Sequence, residues 1–236
     1  MVSSSLEDVT SLNGRFLPTF ATLLLKPGAL SLAYRRGQWR RYLTPINVFL
    51  LANLVFFLAP ALTDFNVGLY DQRTSQPYSE WVAPWIDARI ESSGDTFAEF
   101  SQRYAARGND IAKTLVILHV PFIAIITLLL FFDRKLLYAD HVVTALHFFA
   151  FLMLYYALLP VVVLLLSGLN ALVGGSLPAF HIALLVQFAY TIPMMKTAFG
   201  VGWLRAVVST ALFAPALLAA HLCYRFVQLM IVMALL

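Results

Sequence analysis

Of the chain's 236 residues, 61% are apolar and 12% are charged, against roughly 45–50% and 25% in soluble proteins. With a mean hydropathy of +0.80, so little charge cannot clothe a soluble core, and the surplus apolar surface must face lipid. The net charge of +4 would suit nucleic acid, but the basic residues sit beside apolar spans and form no stripe of their own.

The chain up to Arg15 is polar and Ser-rich, which predicts a mobile cytoplasmic tail. No charged n-region precedes an apolar h-region and a small-residue cleavage site. A cleavable signal peptide is therefore not expected, and the first span serves as its own targeting signal. Phe16 to Tyr34 is apolar, but Lys26-Pro27-Gly28 would put a charge and two helix breakers in mid-membrane. Two short amphipathic helices in the cytoplasmic interface, joined at Pro27-Gly28, fit better, with a re-entrant hairpin as the alternative.

Arg35, Arg36, Arg40 and Arg41 then abut Tyr42–Leu62, a run without a formal charge. At 1.5 Å per residue it makes about 31 Å of helix, a bilayer's hydrocarbon thickness. Basic residues stay on the cytoplasmic side, so the N-terminus is predicted to be inside. The segment 63–110 holds eight acids and four arginines, a net −4, and reads as the external loop. Trp81 and Trp85 suit an interfacial anchor there, and Phe97, Phe100 and Tyr104 recur at helical spacing. Short helices on the outer membrane surface are expected, not a separate folded domain.

The second span is Ile111–Phe132, followed by a tight cytoplasmic turn with Arg134 and Lys135. From His141 to Met195 there is no Asp, Glu, Lys or Arg at all. That stretch would make roughly 80 Å of helix, too long for one crossing. Ser167-Gly168-Leu169-Asn170 and Gly174–Pro178 divide it into spans at about 141–166 and 179–195. A fifth span runs from Ala206 to about Val232. The predicted fold is thus an all-α integral membrane protein: a tail and interfacial segment over 1–41, and a membrane domain over 42–236 with about five spans. From Lys26 onward, nine Lys and Arg lie on the predicted inner side and four in the outer loop. The lone Cys223 permits no intrachain disulfide.

Two stretches carry a family resemblance. One comprises Leu24-Leu25-Lys26-Pro27-Gly28, Tyr34-Arg35-Arg36-Gly37 and Arg40-Arg41-Tyr42-Leu43-Thr44-Pro45. The other is Leu137–Phe148, with Asp140-His141 and His147. Together they resemble a bacterial membrane family, domain of unknown function 3667. The resemblance implies a leader, a Pro-Gly motif, an Arg-rich turn into the first span and an Asp-His…His segment in a later one. The cysteines of the zinc ribbon with which many members begin are not present here. The resemblance implies an architecture and a bacterial inner membrane, and no activity.

Ionisable groups inside a membrane are costly and raise the question of a site. Asp140, Thr144 and His147 share one face of span three, while His141 points elsewhere. A carboxylate could hold the imidazole for proton or metal chemistry. The plainer expectation is that Asp140 caps the helix and His147 bonds a neighbouring helix. A second group, His119, His181, His221 and Arg225, falls in the outer half. A metal needs three or four converging ligands, so no metal or other cofactor is assigned. Arg225 is expected to snorkel to the outer interface or to pair with an acid of the outer loop. Arg35, Arg36, Arg40, Arg41, Arg134 and Lys135 either set topology alone or also bind anionic headgroups.

No P-loop, Gly-x-Ser-x-Gly, His-Glu-x-x-His or dinucleotide fingerprint is present, which weighs against an enzyme. The leading expectation is a protein that binds or moves lipid or another amphiphile, or scaffolds a membrane complex. Its partners are lipids, a second copy or another membrane protein, and not nucleic acid. The alternative is a membrane-embedded enzyme at Asp140 and His147.

Overall fold

The computed structural model of the chain describes residues 2–58, 66–173 and 179–236. Among these residues there are helices and turns but no strands. Five helical stretches are long and apolar enough to cross a membrane: Trp39–Leu58, Phe97–Leu130, Tyr138–Gly168, His181–Phe199 and Trp203–Leu235. Each overlaps one of the five predicted spans, but the second begins at Phe97 and not at Ile111, and the predicted end of the first, 59–62, lies outside the described residues. The chain divides into two compact units, Met1–Leu62 with Val120–Leu217, and Thr63–His119 with Leu218–Leu236.

The first unit begins with α1 (Val2–Leu25) and α2 (Ala29–Arg35), broken at Lys26-Pro27-Gly28 as expected. The predicted mobile tail is instead the beginning of α1. No glycine or proline occurs between Val2 and Asn13, so nothing in the backbone stops the helix there. A 3-10 turn, Trp39–Arg41, leads into α3 (Pro45–Leu58). Pro45 occupies its first position, where the missing N–H is not needed. Val48, Phe49, Ala52 and Phe56 are buried at helical spacing, and α3 packs along α8 (Tyr138–Val173). Leu50, Leu54 and Leu58 are exposed on its other side. A helix apolar all round but buried on one stripe is what lipid contact requires.

The central helix of this unit is α8, whose residues Thr144 to Leu154 are almost all buried. It continues through Ser167–Asn170, where a break was predicted. Ser167 Oγ donates to the Val163 carbonyl at 2.8 Å, so the hydroxyl is absorbed one turn back within the helix. The Gly174–Pro178 break lies outside the described residues. α9 (Ala179–Phe199) packs beside α8 and α2.

Between α7 (His119–Leu130) and α8, the 3-10 turn Phe132–Arg134 ends on Lys135 in the left-handed region, at φ 52°. Arg205, in α10 (Trp203–Leu235), grips the Asp133 carboxylate with both terminal nitrogens. That hydrogen bonding holds the Asp133 carboxyl below its usual range. A depressed carboxylate stabilises the fold above its ordinary pKa, about 4, and the contribution fades as pH falls from there. Asp133→Asn is therefore expected to lower the thermal midpoint slightly at neutral pH. The difference from wild type should vanish on acidification, and a gap of constant size at pH values well below the carboxylate range would contradict the pairing.

The second unit contains α4 (Leu69–Thr74), α5 (Ser79–Ser93), α6 (Phe97–Leu115) and the last part of α10. Gly94 ends α5 in the left-handed conformation, and Thr96 with Glu99 forms a capping box that begins α6. Phe100, Tyr104, Gly108 and Ala112 make a buried stripe on α6, while Glu99, Gln102, Arg103 and Asp110 face outward. These helices are more than elements laid on a surface. Leu69, Val82, Ile86, Phe100 and Tyr104 enclose a core with Leu229, Val232 and Met233 of α10. The short-range pattern in 63–110 shows which residues turn inward but not that the chain's last residues cover them.

Candidate functional site

The polar contacts of the first unit concentrate where α1 and α2 meet α8 and α9. Gly28 makes this junction possible: its φ is +78°, and a Cβ there would lie 2.7 Å from the Met194 carbonyl oxygen. Only glycine combines that backbone angle with so close an approach. The turn presents Ser31 to α8, with Ser31 Oγ 3.0 Å from His147 Nδ1. Both residues are buried. Tyr190 OH donates to the Leu23 carbonyl at 2.7 Å, taking up one of the last carbonyls of α1. The Tyr190 ring also stacks on Phe151.

Asp140 does not orient His147. Its Oδ2 accepts the Leu137 N–H at 3.0 Å, the reciprocal contact of a helix start. Thr144 Oγ1 returns to the Asp140 carbonyl at 2.9 Å. The plainer of the two arrangements expected from the sequence is the one found: a capping carboxylate, and a histidine bonded to a neighbouring helix. His141 points away, its Nδ1 3.1 Å from Thr127 Oγ1. Thr127 spends its own hydroxyl proton on the Ala124 carbonyl, so His141 Nδ1 must be the donor. His141 Nε2 is buried with no partner among the described residues.

A small space remains beside Ser31, Thr144, His147 and Tyr190, closed by Leu30, Phe148 and Met194. It has room for about one water molecule, not for a substrate. Ser31 and Tyr190 were not singled out from the sequence, and Gly28 was read as a hinge but not as a point of close approach to α9. A serine among apolar residues gives no signal until its partner, 116 positions away, is known.

The basic residues separate into two kinds. Arg35 Nη1 donates to the Ala198 carbonyl at 2.6 Å. Arg134 donates from Nε to Phe199 O and from Nη2 to Gly200 O, both at 3.1 Å. Two guanidinium groups thus close the C-terminus of α9, where unpaired carbonyls and the helix dipole favour positive charge. Arg36, Arg40, Arg41 and Lys135 are exposed. Arg40 lies over the Trp39 ring at 5.5 Å and Arg41 over Tyr42 at 5.8 Å.

In the second unit His119 and His221 do meet, Nε2 to Nδ1 at 3.0 Å, with Tyr224 packed against both rings. His119 Nδ1 lies 3.0 Å from the Val116 carbonyl and must donate to it, which makes its Nε2 the acceptor from His221. Pro121 follows shortly after, and the helix tightens to a 3-10 turn at Val116–Leu118. Arg225 Nη1 donates to Gln76 Oε1 at 3.1 Å, so this contact with the predicted outer loop is made to an amide and not to an acid as expected. His181 lies near the start of α9 in the first unit and is exposed. Among the described residues, no three His, Cys, Asp or Glu side chains converge in a way that could hold a metal.

Residues 13–57 match the family model described as protein of unknown function, DUF3667. The match covers 45 of the 236 residues, a likeness of this stretch and not of the whole chain. No curated protein and no solved structure matches the chain. The matched segment runs from within α1 almost to the end of α3, and so contains Gly28, Ser31, Arg35 and the exposed Arg36, Arg40 and Arg41. The Leu137–Phe148 stretch, which also carried the resemblance, lies outside the matched residues. Among the described residues five helices are long and apolar enough to cross a membrane, and the matched segment, which brings no assigned activity, is a docked element of the helical core.

Proposed function

We propose that the DUF3667 segment binds anionic lipid headgroups at the cytoplasmic face of a bacterial inner membrane. The observation that carries this reading is the set of exposed cations Arg36, Arg40 and Arg41 around Trp39, itself 51% exposed. Among the described residues none of the three makes an ion pair, whereas Arg35 and Arg134 are committed to α9. Lys135 adds a fourth charge. Lysines and arginines near an anionic surface contribute about 1 kcal/mol each, so three amount to roughly a hundredfold preference over neutral lipid. An indole beside them suits the headgroup layer. Such a surface would serve lipid carriage and the scaffolding of a membrane complex equally, and it selects neither. The N-terminus is inside on this reading, in keeping with the basic bias of that end.

The test is lipid retention. Arg36, Arg40 and Arg41 are changed together to Gln, the protein is purified in mild detergent, and bound phospholipid is counted by native mass spectrometry. Loss of most anionic lipid with unchanged helicity is the expected result, and added salt should imitate it in the wild type. Undiminished anionic lipid in the triple variant would defeat the proposal. Arg35→Gln and Arg134→Gln serve as contrasts, lowering thermal stability with lipid retained. The rival reading, an enzyme using Asp140 and His147, has less to support it: the two side chains hold different partners, and the space beside His147 is the size of one water.

A further inference from the structure

The second unit carries an aromatic surface that the basic end does not explain. We infer that the start of α5, with Trp81 and Trp85, is seated in the lipid interface, at the membrane boundary that Arg225 marks. The register of α10 carries this inference. From Ala206 to Tyr224 that helix is uncharged, which makes about 29 Å, one hydrocarbon thickness, ahead of Arg225. A guanidinium at the end of such a run belongs at the interface, where it meets headgroups and water.

At that level α10 holds the beginning of α5. Arg225 reaches Gln76, and the Phe226 ring packs edge-on to Tyr78 at 5.3 Å. Trp81 is the next aromatic in the chain and Trp85 follows one turn on; they are 82% and 38% exposed. Their neighbours Val82 and Ile86 turn into the core, so α5 cannot roll to bury the indoles without emptying it. Charge is arranged to match. At 100° per residue Glu80, Asp87 and Glu91 fall on a separate arc, turned about 80–160° from the two indoles, while Arg89 lies on the indole side. Acids away from the membrane, with tryptophan and arginine toward it, is the pattern an anionic, half-apolar layer selects. Neither indole belongs to the headgroup site proposed above.

The chain has four tryptophans, so Trp39→Phe with Trp203→Phe leaves Trp81 and Trp85 as the only emitters. The full chain in nanodiscs is compared in ordinary phosphatidylcholine and in phosphatidylcholine brominated near the carbonyl end of its acyl chains. The expected result is an emission loss of about twofold or more in the brominated lipid, with weak quenching by aqueous acrylamide. Full acrylamide quenching with no effect of bromine would put the indoles in water and overturn the inference. Protection from both quenchers would put them under protein, a second copy or another chain, and overturn it equally. Should the double variant fold poorly, Trp81→Cys in a Cys223→Ser chain, labelled with a polarity-sensitive dye, meets the same quenchers and is judged by the same outcomes.

Discussion

Gly28→Ala is expected to destabilise the protein by about 3 kcal/mol, through two separable effects. The first is conformational: at φ +78° an L-residue meets its own carbonyl and loses roughly 1–2 kcal/mol. The second is overlap, since the new methyl would lie 2.7 Å from the Met194 carbonyl oxygen and 3.0 Å from both the Ala198 nitrogen and Thr197 Cβ. Those atoms belong to the body of α9 and cannot swing aside as a side-chain tip would. Relief requires α2 to lift, which stretches the Ser31–His147 and Arg35–Ala198 contacts together. Gly37 provides the control. Its φ is +75°, but nothing lies within 4 Å of where a Cβ would stand, so Gly37→Ala meets the strain without the clash. The thermal midpoint in mild detergent should fall much further for Gly28→Ala than for Gly37→Ala. Limited proteolysis should cut α1 and α2 only in the former. Equal shifts for the two variants would show that the close approach to α9 contributes nothing.

His147→Ala comes next, with an expected loss of about 2–4 kcal/mol, mostly from the void left in the buried half of α8. The hydrogen bond to Ser31 accounts for the smaller part. Bonds between membrane helices average about 0.6 and reach about 1.7 kcal/mol, because helices apart in lipid find other partners. A double-mutant cycle with Ser31→Ala separates the two contributions, and its coupling should fall near about 1 kcal/mol. Coupling indistinguishable from zero would mean the 3.0 Å contact carries no stability. If His147 were catalytic, His147→Ala would abolish a cellular function at unchanged abundance. With His147 as a packing residue, abundance and function fall together.

Most of the membrane architecture was legible along the chain. A charge-free run from Tyr42 to Leu62 behind Arg40-Arg41 has few alternatives to a spanning helix, because burying a charge or an unpaired peptide group in hydrocarbon is so costly. The leader's break was equally readable, since Pro27 and Gly28 end a helix wherever it lies. Asp140 as a cap followed from its place just inside a helix start. Ser167-Gly168, read as a stop, was absorbed because a serine can bond back to its own helix and a glycine there only weakens it. The polar N-terminus misled in the other direction: composition suggested a free tail, whereas its residues all tolerate helix.

What the sequence determined by itself is everything that depends on one segment and its solvent: the five spans, the hinge at Pro27-Gly28, the basic end and the acidic loop. What only the tertiary structure decided is which of those polar groups are already engaged. Arg35 and Arg36 are adjacent and chemically identical, yet one closes α9 at Ala198 and the other faces outward. His119 and His221 meet, while His147 finds a serine. These partners stand 102, 116 and 163 positions apart in the chain for the histidine pair, His147 and Arg35 respectively. The physical reason is that hydrophobicity is a property of each residue and is spent locally against lipid. A hydrogen bond needs two groups at about 3 Å, and that distance exists only once the helices have packed.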